Sequence, residues 1–343
     1  MSIVESQSVS RRGAIPLALL AIAAAGCGSS AASPEPSHDA GGGADARTDA
    51  GPPPLASKIA HVVIIVQENH TFDVEFGAYC QAAAGSKPTC TTGPTCCEAM
   101  PATDPAGHSP IVLDDTEEAA FDPNHTQACE LAEMDNGKMD AYATATVPGS
   151  STACGDSRNV ASASPTIVKP YWDLAQTGAL ADRYFQPIAG QSSSNDMYLA
   201  RASYVFTDNS ASPLDALGVK CSLGTTQKAF MGTTIGDLLT AASVPWAWFA
   251  DGYQTMLSAP HGTCPPAPAD CPLALPLYPC SFDPSDIPFE YYASTRDNPS
   301  TMKDLSVFQA AIQSGSGLPA VSFIKAIGYR SEHPGYGSTL SAG

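Results

Sequence analysis

Basic residues are scarce in this chain. Only 16 Lys and Arg stand against 34 Asp and Glu, a net charge of -18 over 343 residues. So acidic a chain repels nucleic acid and anionic membrane surfaces, which excludes nucleic acid as a partner. An anionic substrate would need a local source of positive charge, and a bound cation is the simplest. Bilayer-spanning apolar runs are also missing: the N-terminal one, Ile15 to Ala25, is too short to cross comfortably. No C-x-x-C pair occurs, which argues against a zinc-thiolate site on the Cys90 to Cys97 cluster. No internal repeat is present.

What the N-terminus does contain reads as an export signal. Arg11 and Arg12 form a basic start, Ile15 to Ala25 an apolar stretch, and Ala24, Ala25 and Gly26 lead to Cys27. Ala-Ala-Gly-Cys resembles a bacterial lipobox, with Ala24 where Leu is more usual, so Cys27 is the expected lipidation site. Ser10-Arg11-Arg12 looks like a twin-arginine start. The alternative is a plain secretory signal with a coincidental Cys. Without Cys27, ten of the eleven Cys remain. An even number in an oxidising compartment predicts disulfides, whose pairing the spacing does not decide.

Residues 28–57 are rich in Ser, Ala, Gly, Pro and Asp, a composition that buries no core and reads as a flexible tether. Residues 58–343 form the expected folded domain. His61 to Val66 is a continuous β-branched run that suits a central strand covered on both faces. Residues 78–165 carry many Cys, Pro, Gly, Thr and acidic residues, which predicts a loop-like, disulfide-pinned insertion over one end of the sheet. Pro170 to Phe185 reads as helix, and another starts at about Asp196. Ile235 to Ala242 predicts helix, Trp246 to Ala250 strand, Asp304 to Gln313 helix and Leu318 to Lys325 strand. Strands alternating with helices predict an α/β fold with a mostly parallel sheet.

Three polar groups sit where strands or loops end. Gln67-Glu-Asn-His-Thr-Phe-Asp73 follows the first strand, where ligands of open α/β sheets bind. Glu68 and Asn69 are hard oxygen donors suited to a divalent cation. The alternative is a polar turn with Asn69 or Thr71 capping the next helix. Ser192-Ser-Ser-Asn195 precedes a predicted helix whose N-terminus favours an anion, and a hydroxyl there can attack phosphorus. Taken alone, the segment reads better as plain N-capping by Ser or Asn. Ser331-Glu-His-Pro334 follows the third strand, and Phe121-Asp-Pro-Asn-His125 is another polar loop. Either histidine could pass a proton to a leaving group.

Together these segments resemble the bacterial phosphoesterase family that includes non-specific phospholipases C and a class of acid phosphatases. Ile59 to Gly77 is similar to that family's opening strand and its Glu-Asn-Arg-Ser-Phe-Asp motif. Phe121 to His125 with Met134-Asp-Asn-Gly-Lys-Met-Asp140 looks like its next block. Pro170 to Phe185 with Gly190 to Asn195 resembles its nucleophile segment, and Leu318 to Pro334 a fourth block. The resemblance implies an alkaline-phosphatase-like α/β sandwich. It implies that Glu68 and Asn69 ligate a divalent metal, that Ser192 is the nucleophile, that His125 and His333 are catalytic, and that Asn195 binds substrate. Gln191 and Ser194 replace the family's prolines, Asp196 its Arg, and His70 the Arg of the first motif.

The family's later Asp-Glu-x-Gly-Gly-x-x-Asp-His block, which completes its metal site, does not occur here. The expectation is a domain lacking its C-terminal part, short of metal ligands and with a sheet edge uncovered. The expected function is an exported, phospholipase C-like phosphoesterase with a phosphoseryl intermediate, lipid-anchored through Cys27 in the periplasm or on the outer membrane. An acid phosphatase acting on small monoesters is one alternative. A surface lipoprotein that keeps the fold but has lost catalysis is another.

Overall fold

The computed structural model describes residues 59–203, 229–258, 265–273, 278–282 and 284–336. The export signal, Cys27 and the tether lie outside these residues, as do Cys221 and Cys264. Strands β1 (Val62–Val66), β4 (Trp246–Ala250), β5 (Met302–Asp304) and β6 (Val321–Lys325) form a four-stranded sheet in the order β1-β6-β4-β5. Every pairing in it is parallel. Strands β2 (Ile111–Leu113) and β3 (Ala161–Ala163) pair separately, also parallel. In the large sheet Val66 is opposite Lys325, Lys325 opposite Ala250, and Ala250 opposite Asp304. The carboxyl ends of all four strands therefore share one rung.

Alternation along the strands divides the core into two faces. On one face Trp246, Trp248 and Phe323 pack with Phe289 and with Met197 and Ala200 of α5 (Ser192–Arg201). The Trp248 and Phe323 rings stack at 5.9 Å. On the other face Ala247, Phe249 and Ile324 meet Leu305 and Phe308 of α8 (Leu305–Ser314). The helices begin where local chemistry favours it. Asp304 caps α8 by accepting from Ser306 N, and Gly315 ends it at φ 66°. Thr234 and Asp237 form a capping box for α6 (Ile235–Ala241).

The α/β class, the parallel sheet and the strand at Trp246–Ala250 match expectation. Four readings need correction. First, β1 lies at the sheet's edge, paired only with β6 among the described residues, and Ile65 is 65% exposed. Its β-branched run is equally compatible with an edge, so composition alone misplaces it. Second, α4 (Lys169–Thr177) stops eight residues before Phe185. Beyond it Gly178 O accepts from Thr92 Oγ1, and Leu180 N donates to Thr91 O, drawing the chain out of the helix. Third, α5 starts at Ser192 and not Asp196, with Gln191 as its N-cap. Fourth, the segment between residues 78 and 165 is not all loop. It holds β2, β3, α2 (Asp115–Ala120) and α3 (Gln127–Met134).

The same segment carries the disulfides Cys80–Cys97, Cys90–Cys96 and Cys129–Cys154, and Cys271–Cys280 lies beyond it. Cys90, Cys96 and Cys97 are thus unavailable as zinc thiolates. The four disulfides among the described residues fit an extracellular or periplasmic protein.

Candidate active site

Three residues past β1 the chain makes a sharp turn, with Asn69 in the left-handed region at φ 67°. The turn feeds α1 (Phe72–Phe76), whose N-cap is Thr71. Asn69 is thereby freed from capping, and its side chain reaches across the carboxyl end of the sheet. Its Nδ2 lies 2.5 Å from His333 Nε2 and 3.4 Å from His125 Nε2. Its Oδ1 is 3.5 Å from Ser192 Oγ, which donates to it. Residues 56, 123 and 264 positions apart along the chain thus meet at one amide.

Both histidines are held in one tautomer. His125 Nδ1 is 2.8 Å from Pro123 O, and His333 Nδ1 is 2.8 Å from Pro334 O. A carbonyl only accepts, so each Nδ1 carries the proton and each neutral ring offers an Nε2 lone pair. Those lone pairs converge beside Asn69. Among the described residues, Asp122, His125 and His333 are the one group of potential ligands whose donor atoms lie within 4.8 Å of each other. Asp122 Oδ1 is buried without a hydrogen bond, although His125 Nδ1 stands 3.5 Å away. An orphaned carboxylate oxygen beside two imidazoles of this tautomer fits a divalent ion. Burial lowers the pKa of His125, but Asp122 and the Pro123 carbonyl outweigh it, so the net shift is upward. Burial lowers that of His333, and Glu68 opposes it only in part.

Ser192 opens α5, which has no side-chain N-cap, so first-turn N–H groups remain available to an anion. Ser193 and Ser194 are buried, and Ser194 Oγ has no hydrogen-bond partner. Of the three hydroxyls, that of Ser192 faces Asn69. It also stands near enough to Glu68 to favour that carboxyl's ionised form. Asn195 turns back on the segment before the helix: its Nδ2 donates to Gly190 O and Gln191 O, and its Oδ1 accepts from Ile188 N.

Glu68 is 9% exposed and fully engaged by the protein. Its Oε1 accepts from Ser331 Oγ at 3.2 Å and Tyr278 OH at 3.4 Å, and its Oε2 from Lys325 Nζ at 3.2 Å. Burial pushes this carboxyl up, but the Lys325 ammonium and His333 pull it down to about 2. Lys325 was not singled out in the sequence; its only signal is a lone charge closing an apolar strand. Asp122 stood inside a recognised motif without a role.

Behind the histidines, Glu332 forms a second polar cluster. Its Oε1 accepts from Tyr171 OH, and Tyr171 also bonds to Gln67. Glu332 Oε2 is buried without a partner, and burial raises the carboxyl to about 7. The Glu332 carbonyl is 2.7 Å from His70 Nε2. The Arg-to-His change in the first motif thus gives a ring that ties this loop down.

A hydroxyl at a helix N-terminus without a side-chain cap, two imidazoles and a carboxylate thus meet at the carboxyl end of a parallel sheet, an arrangement suited to hydrolysing an anionic ester. The sequence model of the phosphoesterase family matches residues 59–343, and the chain belongs to that family. It is a hydrolase acting on phosphoric esters, and its four-stranded parallel sheet is consistent with the alkaline-phosphatase type of α/β fold. No curated protein matches the chain.

Proposed function

We propose that this chain is a phospholipase C-like phosphoesterase that transfers the phosphoryl group to Ser192 and then to water. The position of Ser192 carries the reading: it opens α5 with its Oγ 3.5 Å from Asn69 Oδ1. Asn69 accepts from the hydroxyl and aims its lone pair. A bond forms between Oγ and phosphorus as the ester P–O bond breaks, the hydroxyl proton passing to the departing alkoxide; water later cleaves the phosphoserine and returns a proton to Oγ. The first-turn N–H groups of α5 offer hydrogen bonds to the phosphoryl oxygens. Asp122, His125 and His333 would hold a divalent ion, which supplies Lewis-acid polarisation of the phosphoryl group. Two imidazoles and one carboxylate suit a zinc-type ion. In this reading the histidines are ligands and not proton carriers.

An open groove supports a lipid diester as substrate. Its volume is about 380 Å³, and Phe76, Tyr171, Leu174 and Leu180 line it. Tyr171 joins the groove to the site, because its hydroxyl reaches Gln67 and Glu332. The disulfides and the Arg11-Arg12 to Cys27 segment support export with a lipid anchor. The test compares p-nitrophenyl phosphate with its phosphorylcholine diester, for wild type and Ser192→Ala. The diester should be preferred, and Ser192→Ala should lose about 10³-fold or more in kcat while staying folded. Preference for the monoester would make the enzyme an acid phosphatase. Equal rates in wild type and variant would sink the Ser192 assignment.

A further inference from the structure

Lys325 closes β6, an inner strand of the sheet, and its side chain is only 5% exposed. Its Nζ lies 2.6 Å from Asp196 Oδ2, 3.2 Å from Glu68 Oε2 and 3.5 Å from Asp286 Oδ2. All three carboxylates are buried. They come from three separate elements: the turn after β1, helix α5, and the 3-10 turn Pro284–Asp286. A small cavity of about 20 Å³ adjoins Glu68, Asp286 and Lys325, with Asp251 also on its wall. Lys325 is thus an ammonium that three carboxylates share, each within 3.5 Å of its Nζ.

Two routes lead from this ammonium to one hydroxyl. Through Glu68 it fixes the turn whose next residue, Asn69, accepts from Ser192 Oγ. Through Asp196 it reaches Ser192 by the helix, since Asp196 lies one turn later on the same face of α5. The departure from the family at Asp196, where Arg is usual, finds its complement here: the positive charge is supplied from the strand.

We propose that Lys325 is a positioning residue for the Ser192 reaction, a built-in cation that clamps Glu68 and Asp196 and so fixes the Ser192 hydroxyl. The proposal rests on the reading of Ser192 as nucleophile. It predicts that the charge, and not the bulk, of Lys325 is needed, and that its loss acts on turnover more than on substrate affinity.

The experiment uses the full chain with p-nitrophenyl phosphate. Lys325→Met keeps the stem and removes the charge; kcat should fall about 100-fold with KM within about threefold. Lys325→Ala should regain at least about tenfold in kcat with propylammonium and nothing with propanol, whereas a packing role would respond to both alike. Lys325→Met with kcat within threefold of wild type overturns the proposal, as does equal rescue by propanol. If neither variant accumulates folded, Asp196→Asn takes their place. A kcat loss of about tenfold at steady KM supports the clamp, and unchanged kcat overturns it. Ser192→Ala is measured in parallel. An active Ser192→Ala refutes the nucleophile reading, whereas an inactive Ser192→Ala beside a normal Lys325→Met refutes the clamp alone.

Discussion

Replacing Cys129 and Cys154 by Ala tests how the site is held from outside. The disulfide joins residues 25 positions apart and is buried, with Cys129 at 0% exposure. A loop of that length restricts the unfolded chain by about 3.5 kcal/mol at 25 °C. The Cys90–Cys96 bridge spans only 6 positions and by the same relation contributes about 2 kcal/mol. Cys129 lies in the first turn of α3, and Thr126, which caps that helix by accepting from Cys129 N, directly follows His125. Loss of this bridge should therefore loosen His125 as well as lower stability. Urea unfolding of the two double variants measures the first effect, and zinc or cobalt binding by the folded protein the second. Cys129→Ala with Cys154→Ala should be the less stable variant and should bind metal more weakly. A cost below about 1 kcal/mol, or a larger cost at Cys90 and Cys96, would refute the reasoning.

Metal affinity should fall with acidity earlier than for ordinary imidazole ligands. A ligating histidine must be neutral, and the pKa of His125 is raised above 6.5, so protons compete from higher pH. Cobalt titrations from pH 8 to 5.5 should show the loss, and flat affinity would contradict it. Glu332 ionises at about 7 in the fold against 4.5 as its ordinary value, so it favours the folded state less as pH rises between those values. Glu332→Gln should gain about 3 kcal/mol at pH 8 and little at pH 4, read by thermal melts. Equal shifts at both pH values would deny the carboxyl its role. Trp248→Ala removes a side chain of 0% exposure and should cost about 3–5 kcal/mol in urea unfolding. A cost under about 1 kcal/mol would mean that this core face relaxes freely.

Local signals in the sequence located β4, α6 and α8 well, because apolar runs and cap residues act over a few positions. The start of α5 was misread for a physical reason. Ser and Asn favour caps over helix interiors, so Ser192 to Asn195 read as the approach to a helix and not as its first turn. Gln191, which makes no side-chain cap bond, gives no such signal. The edge position of β1 depends on what pairs with it, which composition does not encode. Asn69, His125, Ser192 and His333 were recognised from motifs and do converge on one amide. Lys325 was not, since its partners Asp196 and Glu68 lie 129 and 257 positions away. Asp122 needed a buried oxygen without a hydrogen bond to draw notice, and only coordinates show that.

The shared rung at the end of the sheet bears on how the chain finds its pairing. Along β6, Val321 and Phe323 turn to the Trp248 side, with Lys325 next in the same series, while Ile324 turns to Leu305 and Phe308. A slip of one residue would send the ammonium into that second, apolar cluster and leave Glu68, Asp196 and Asp286 facing one another. An unpaired buried charge costs several kcal/mol, so misaligned sheets are disfavoured before any substrate is met. The residue that closes the strand thus also serves as a check on assembly, rejecting alignments that hydrophobic packing alone would tolerate.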